Sequence, residues 1–509
     1  MSLINNNIII DRNDDMAIYL QIRNQIRTMI FNGSLPAGSI LPPERKLADS
    51  LGVNRSTVLT AYRELKSDGL VDSHVGKGTV VLAHLTEVTD SYQAIQPPMW
   101  RQYFNQTAER LSDPLLRNIL QIANRNDIIS FAAGISGYET DPVQALAGIE
   151  DELLKQPNHF ALKHTPSEGF YSLRENISKL MEKRGAACPP EEILVLSGSQ
   201  QGIDIAARVF IDQGDVVIVE EPSFFSALQI FQSAGARVIG IPVDENGMRI
   251  DLLEQALQRY RPKFIYTIPT YQNPSGISMS VERRKNLIEL AYRKKVVILE
   301  DDPYGELRFE GSRLPTLKEL DKYGYVIYFS TFSKIMFPGI RIGWMAAPKP
   351  VIHQFTMAKQ LEDLHANSIS QWIVNRFLAS GKLDEHIKYI CSENRIKRDI
   401  MIDALMDKPI EGLEWNKPHG GFYIWCKLPE GVPYSLLLAK ASEKGVAYVP
   451  GNTFYMGGRG ENYLRLNYTY PPKEKIAEGV IKLKEAINET VGSSKKYRKQ
   501  DFEDIKPIV

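Results

Sequence analysis

The chain has 509 residues, 43% hydrophobic and 24% charged, with a formal net charge of +0. That length exceeds what a single core organises, so two or three folded units of ordinary globular composition are expected. A zero balance gives no whole-chain attraction for nucleic acid, so any DNA-binding surface must be local. The cysteines, Cys188, Cys391 and Cys426, form no C-x-x-C pair, which argues against a disulfide framework or a metal site. Met1 to Asp15 carries no basic-then-apolar signal, and no run of about 18 apolar residues exists, so no membrane span and a cytoplasmic location are expected.

Ile22, Ile26, Met29 and Ile30 recur at helical spacing and predict a first amphipathic helix, ended by Asn32-Gly33. A second reads from Glu44 to Leu51 and is stopped by Gly52. A third follows Asn54 as N-cap, buries Val58, Ala61, Tyr62 and Leu65, and is closed by Asp68-Gly69. Val71 to Leu82 then reads as a hairpin with Gly76-Lys77-Gly78 at its tip.

Two helices joined by a tight turn and followed by a hairpin suit DNA reading, with the start of the later helix facing base edges. Arg55, Ser56 and Thr57 stand there; Arg45 on the preceding helix and Lys77 at the hairpin tip are placed to grip phosphate. The alternative is a small helical domain with solvated charges, since Glu44, Asp49, Glu64 and Asp68 offset the bases. The stretches Leu41-Pro42-Pro43-Glu44-Arg45-Lys46-Leu47-Ala48, Gly52 to Val58, and Leu65 to Thr79 resemble the GntR-family winged helix-turn-helix. The resemblance implies DNA contacts at Arg45, Arg55, Ser56, Thr57 and Gly76.

A connector without steady periodicity, containing Pro97-Pro98 and a helical stretch around Trp100 to Leu111, predicts an interdomain linker over 83–113. This makes 1–82 the first domain and 114–491 the second. Within the second, helical stretches alternate with the apolar runs Ile193–Leu196, Val216–Val219, Val238–Ile241, Phe264–Ile268, Val296–Leu299 and Val326–Phe329. That alternation predicts an α/β domain built on a mainly parallel sheet covered on both faces. The end, 492–509, is charged, lacks an apolar stripe and is expected to be a mobile tail.

Several motifs fall at the ends of these runs. Ser330-Thr331-Phe332-Ser333-Lys334 follows one strand, and Arg341 comes seven residues after the lysine. Ser197-Gly198-Ser199-Gln200-Gln201 follows another strand and opens a helix striped by Ile203, Ala206, Ala207 and Phe210, where backbone N–H groups favour an anion. Glu300-Asp301-Asp302-Pro303-Tyr304 ends a third, and Asn273-Pro274-Ser275-Gly276 caps a fourth. Three adjacent acids cannot all be buried cheaply, so one is expected to face the site and the others water or polar partners. Glu221-Pro222-Ser223-Phe224 supplies an aromatic.

Singly, each has an ordinary reading: a solvated lysine, a bare turn, a core phenylalanine. Together they meet what pyridoxal phosphate requires: a lysine for the Schiff base, a carboxylate for the pyridine nitrogen, donors for the phenolate, a stacking ring and an anion cradle.

The order and spacing of these motifs resemble the fold-type I aminotransferases of class I/II over about Asp113 to Val491, which implies a large mixed sheet and a smaller C-terminal α+β part. The resemblance implies that Lys334 forms the aldimine, Asp301 pairs with the pyridine nitrogen, and Asn273 and Tyr304 hold the phenolate. Ser199, Gln200, Thr331, Ser333 and Arg341 would surround the phosphate, Phe224 would stack, and Arg465 in Tyr463-Leu464-Arg465-Leu466-Asn467 would take a substrate carboxylate. His164, in Leu162 to Gly169, stands where the family often has a tyrosine that reaches the neighbouring subunit's phosphate.

A GntR-type head on such a domain resembles the MocR/GabR group of regulators. That resemblance implies a multidomain transcription regulator that forms a head-to-tail homodimer. Its partners would be double-stranded operator DNA and an amino effector, or pyridoxal phosphate itself, sensed through the aldimine at Lys334. A catalytically active aminotransferase acting on an amino acid is the alternative.

Overall fold

The computed structural model describes residues 8–12, 16–74, 78–82, 100–105, 127–137, 139, 141–146, 148–149, 155 and 162–503, with backbone alone for 74, 101, 144–145 and 493–503. Two compact units separate between Met99 and Trp100, inside the stretch expected as linker. Most of 83–113 lies outside the described residues; Trp100–Gln102 forms one short 3-10 turn.

The first unit holds helices Ile18–Phe31, Glu44–Leu51 and Arg55–Ser67, then strands Val71–His74 and Gly78–Val81 paired antiparallel with Val71 opposite Val81. The helical stripes account for its core: Ile22, Ile26, Leu47, Val58, Ala61, Tyr62 and Leu65 are buried together. Gly52 ends the middle helix in the left-handed region at φ 65°, a conformation glycine adopts without steric cost. One expected detail differs. Asn54 occupies the N-cap, but its side chain makes no capping bond, and Thr57 N–H donates to the Asn54 carbonyl instead.

The second unit is built on an eight-stranded sheet in the order Ile193–Leu196, Gly343–Ala346, Val326–Thr331, Val297–Asp301, Phe264–Thr267, Val216–Glu221, Arg237–Asp244, Gly247–Met248. The five strands from Val326–Thr331 to Arg237–Asp244 run parallel. Gly343–Ala346 runs antiparallel to both its neighbours, so the sheet is mixed but mainly parallel. All six apolar runs read from the sequence fall on strands here. The parallel strands end on one side of the sheet, where open α/β sheets bind ligands.

A second, four-stranded antiparallel sheet joins Glu414–Trp415, Tyr423–Lys427, Tyr463–Asn467 and Val449–Pro450. It packs with the C-terminal helix around a core including Phe131, Ile424, Leu464, Leu466, Val480 and Leu483. Ile129–Ser130 pairs parallel with Val446–Ala447. The backbone of the last helix runs from Lys473 to Glu503, so the tail expected from 492 begins as a continuation of that helix. Among the described residues no helix is long and apolar enough to cross a membrane.

Candidate functional site

A cavity of about 240 Å³ opens where the parallel strands end. Ten of the sequence-predicted residues line it: Lys334, Asp301, Tyr304, Asn273, Phe224, Ser199, Gln200, Thr331, Ser333 and Arg341, and Arg465 joins them from the second sheet. Residues far apart in the chain meet because each sits just past a strand or on one. Gly134, Phe225, Ile268 and Tyr423 belong to the same wall and were not singled out from sequence.

Lys334 follows Val326–Thr331 in a 3-10 turn and is half-buried. Its ammonium donates to the Gly134 carbonyl at 2.6 Å. Burial, with the Arg341 and Arg465 guanidiniums nearby, pushes its pKa down to about 8, against the opposing pull of Asp301. Asp301, the last residue of its strand, is 2% exposed. Its Oδ2 accepts from the Tyr266 hydroxyl at 2.8 Å, while Oδ1 is buried without a partner. Desolvation raises its pKa to about 7, countered by Tyr266 and Lys334.

All three acids of the 300–302 run are buried, and of the two outcomes expected for the pair that does not face the site, water or polar partners, Glu300 and Asp302 take polar partners. Backbone donors explain Glu300: Leu317 N–H and Lys318 N–H, at the start of a short helix, each donate to it at 2.8 Å. Even so, burial first and Asp302 second push it up to about 8. Asp302 accepts from the Tyr328 hydroxyl at 2.8 Å on the far side of the strand. Strand alternation thus gives Asp301 one face and its two neighbours the other.

The opposite end of the cavity is cationic. Gly198, at φ 108°, turns the chain into the helix Ser199–Phe210; a Cβ there would lie 2.7 Å from the Arg341 guanidinium. Arg341 itself adopts φ 51°, costing about 1–2 kcal/mol for a residue with a Cβ. It donates to the Ser197 carbonyl at 2.8 Å and to Ser333 Oγ at 3.4 Å.

Arg465 is 2% exposed, donates to Asn273 Oδ1 at 2.9 Å and to the Ala132 carbonyl at 3.0 Å, and lies 4.2 Å over the Tyr423 ring. Its Nε is buried without a partner. Tyr304 donates to the Tyr423 hydroxyl at 3.2 Å. Tyr266, which fixes Asp301, lies inside the apolar run Phe264–Ile268 and was not singled out from sequence; Gly134 contributes a carbonyl and left no sequence signal.

His164 does not line this cavity. It is exposed, and its Nδ1 lies 3.0 Å from His365 Nε2 in an edge-on ring pair. In the first unit, Arg45, Arg55 and Ser56 are exposed and Thr57 half-buried at the start of the third helix. Arg55 lies 3.4 Å from Glu44, a surface pair too weak to withhold it from a phosphate or base. Gly76 and Lys77 lie outside the described residues.

Residues 126–483 match the family described as aminotransferase class I and II, and residues 18–81 match bacterial regulatory proteins of the gntR family. The chain is 41% identical to aromatic-amino-acid aminotransferase 1 of Thermococcus litoralis, over 77% of this chain and 95% of that protein. It is 32% identical to the uncharacterised HTH-type transcriptional regulator YdfD of Bacillus subtilis, over 92% of this chain and 96% of that protein. The solved structure of LysN, the α-aminoadipate aminotransferase of Thermus thermophilus complexed with N-(5'-phosphopyridoxyl)-L-leucine, superposes with a TM-score of 0.73 at 34% identity, covering 78% of this chain and all of that one (100%).

The aminotransferase class I and II family is pyridoxal phosphate-dependent, and the cavity fits that group. Asp301 Oδ1 is a buried acceptor lacking a donor, as a pyridinium N–H would be. Three cations face one carboxylate, Lys334, Arg341 and Arg465 against Asp301, an excess that a phosphate and a carboxylate would balance. The chain belongs to the class I and II aminotransferase family and, through its gntR-family head, to the MocR-type transcription regulators that join the two.

Proposed function

We propose that this regulator reads an amino compound in the Lys334 cavity and converts its presence into altered operator binding. The observation that carries the reading is a pair of hydrogen bonds: Lys334 to the Gly134 carbonyl and Arg465 to the Ala132 carbonyl. Both acceptors lie on residues 131–137, an early stretch of the large domain. Asn467 holds the same stretch, donating to the Ala133 carbonyl at 2.7 Å and the Ile135 carbonyl at 2.9 Å.

Pyridoxal phosphate, when bound, supplies an electrophilic carbon for amines and an electron-withdrawing ring. Lys334 would hold it, Asp301 its pyridine nitrogen, Asn273 and Tyr304 its phenolate oxygen, and Phe224 its ring face. Ser199, Gln200, Thr331, Ser333 and Arg341 would hold its phosphate. Burial and the neighbouring guanidiniums push the Lys334 pKa down to about 8, which makes its neutral form, the one able to attack or to take a proton, easier to reach. A ligand carboxylate competes with Ala132 and Asn273 for Arg465, and a ligand amine competes with Lys334. The first removes the Arg465 tie to Ala132; the Lys334 tie to Gly134 needs the free ammonium, so it would be absent while Lys334 holds the cofactor and regained where a ligand amine takes that place. A ligand that favours the untied state shifts the population toward it.

The head would read DNA through Arg45, Arg55, Ser56 and Thr57, with Gly76 and Lys77 at the wing. The active form is a cytoplasmic homodimer, arranged head-to-tail, in which His164 serves the neighbouring subunit's phosphate. The test is the footprint and affinity of the cofactor-loaded full chain on the DNA upstream of its own gene, with and without an amino acid panel. A change in either is expected; no change in both overturns the reading.

A second reading, a working aminotransferase, is favoured by one observation: identity to a stand-alone enzyme is 41%, against 32% to a full-length regulator. Single-turnover release of the matching 2-oxo acid would establish it.

A further inference from the structure

We propose that a second cavity, behind Asp301 on the far face of its strand, binds a small organic cation that carries a carboxylate at its other end. The cavity has a volume of about 280 Å³, against about 240 Å³ for the cofactor cavity. Its described lining shares no residue with that cavity, nor with the hollow around His164, the side chain assigned above to the neighbouring subunit. Thr270 and Tyr271, the segment 302–316 and the helix Leu383–Met406 contribute its walls. The site stands whether the cofactor cavity senses or catalyses.

Asp302 supplies the floor. It is 2% exposed; Oδ2 accepts from the Tyr328 hydroxyl at 2.8 Å, and Oδ1 is buried with no partner. A buried carboxylate oxygen without a donor is costly, so Oδ1 calls for one. Gly305 leaves both oxygens open, since a Cβ there would lie 2.6 Å from each. In the described lining, the floor sets two carboxylates, Asp302 and Glu306, against one buried guanidinium, Arg184, which donates to Glu306 Oε1 at 2.5 Å and to the Tyr328 hydroxyl at 2.6 Å. Water would supply a donor without a charge, whereas a guanidinium or ammonium supplies both. At the mouth the sign reverses. Arg308 and Lys388 stand exposed there, and Leu314 and Ile387 add apolar wall. Arg313 and Asp384, also in the lining, are already paired with Glu319 and Lys183. A cation for Asp302, a short methylene chain and a carboxylate for Arg308 and Lys388 match these features together. Asp302 also adjoins Asp301, whose pKa burial raises and the Asp302 charge raises further. A cation on Asp302 offsets that second push and favours the ionised Asp301 that a pyridinium pairs with. Ligand and cofactor then strengthen each other's binding by the same factor.

Calorimetric titration of the cofactor-loaded full chain with guanidinoacetate, 3-guanidinopropionate and 4-guanidinobutyrate tests the site, because a protonated guanidinium forms no Schiff base with the cofactor. Saturable binding of at least one is expected. The uncharged ureido counterpart of the tightest binder should bind at least about tenfold more weakly, the scale of a charge-assisted hydrogen bond. Asp302→Asn keeps an acceptor for Tyr328 and should weaken the tightest binder at least about tenfold. If Asp302→Asn does not fold, Lys388→Ala, at an exposed position, should still weaken it roughly two- to fivefold. Arg465→Ala, which alters the cofactor cavity alone, should bind it as the wild type does. The wild type should bind it more tightly with the cofactor than without. Absence of saturable heat with all three probes, or equal binding of the ureido counterpart, would overturn the site. So would loss of binding in Arg465→Ala with Asp302→Asn or Lys388→Ala unaffected, which would place the probe in the cofactor cavity. Equal affinity with and without the cofactor would overturn the link between the two cavities.

Discussion

The DNA-reading head and the cofactor cavity place their functional groups in opposite ways. Arg45, Arg55 and Ser56 stand exposed on a small helical core that does not need them. Lys334, Asp301 and Arg465 lie within the fold, where burial moves the pKa of each away from its ordinary value. In the head, function is added to a stable surface. In the cavity, the proposed groups are held with shifted ionisation that a bound cofactor and ligand would relieve. Substitutions should therefore separate binding from stability in the head and couple them in the cavity.

The largest effect is expected from Lys334→Ala, which removes the only amine lining the cavity among the described residues. Borohydride reduction of the cofactor-treated variant should leave no pyridoxyl group on this segment by mass spectrometry. Next comes Asp301→Asn. Losing one partner of a buried charge pair costs about 3–5 kcal/mol, so cofactor affinity should fall by at least about 100-fold. The same variant should stabilise the cofactor-free protein. Asp301 titrates near 7 when folded against an ordinary 3.8, so its contribution is intact at low pH and is lost as pH rises from about 4 to about 7. Urea midpoints of the cofactor-free wild type should therefore carry this loss between those pH values, and Asp301→Asn should lack it.

Much of this was legible in advance, and the reasons are physical. Every sequence-predicted cofactor ligand except His164 lies around one cavity, because strand ends in a parallel sheet are brought together by topology. Gly343–Ala346 escaped notice as a strand because it is short, begins with glycine and runs against its neighbours. The burial of Glu300 escaped notice because its partners are backbone N–H groups of a four-residue helix, not a charged side chain. The ties from Lys334 and Arg465 to Gly134 and Ala132 end on carbonyls, which every residue possesses and no sequence pattern marks.

Two smaller effects sharpen the contrast. Arg465→Ala removes charge-assisted hydrogen bonds worth about 1.5–3 kcal/mol, so amino acid affinity should fall roughly 10–100-fold with the cofactor retained, by calorimetry. Arg55→Ala should weaken operator binding on the order of tenfold, the size of one lost bidentate base contact, by fluorescence anisotropy. Its melting temperature and cofactor spectrum should match the wild type, because its pairing with Glu44 is a surface contact. A melting shift in Arg55→Ala as large as that in a cavity variant would erase the distinction between the two regions.

The coupling of cavity to head is tested most directly by operator anisotropy of the cofactor-treated wild type and of Lys334→Ala, each titrated with L-phenylalanine. The wild type should change its operator affinity as the amino acid is added, whereas Lys334→Ala, which keeps the Arg465 tie to Ala132 but has no lysine to exchange with the ligand amine, should respond more weakly. An equal response in both proteins, or none in the wild type, would contradict the account.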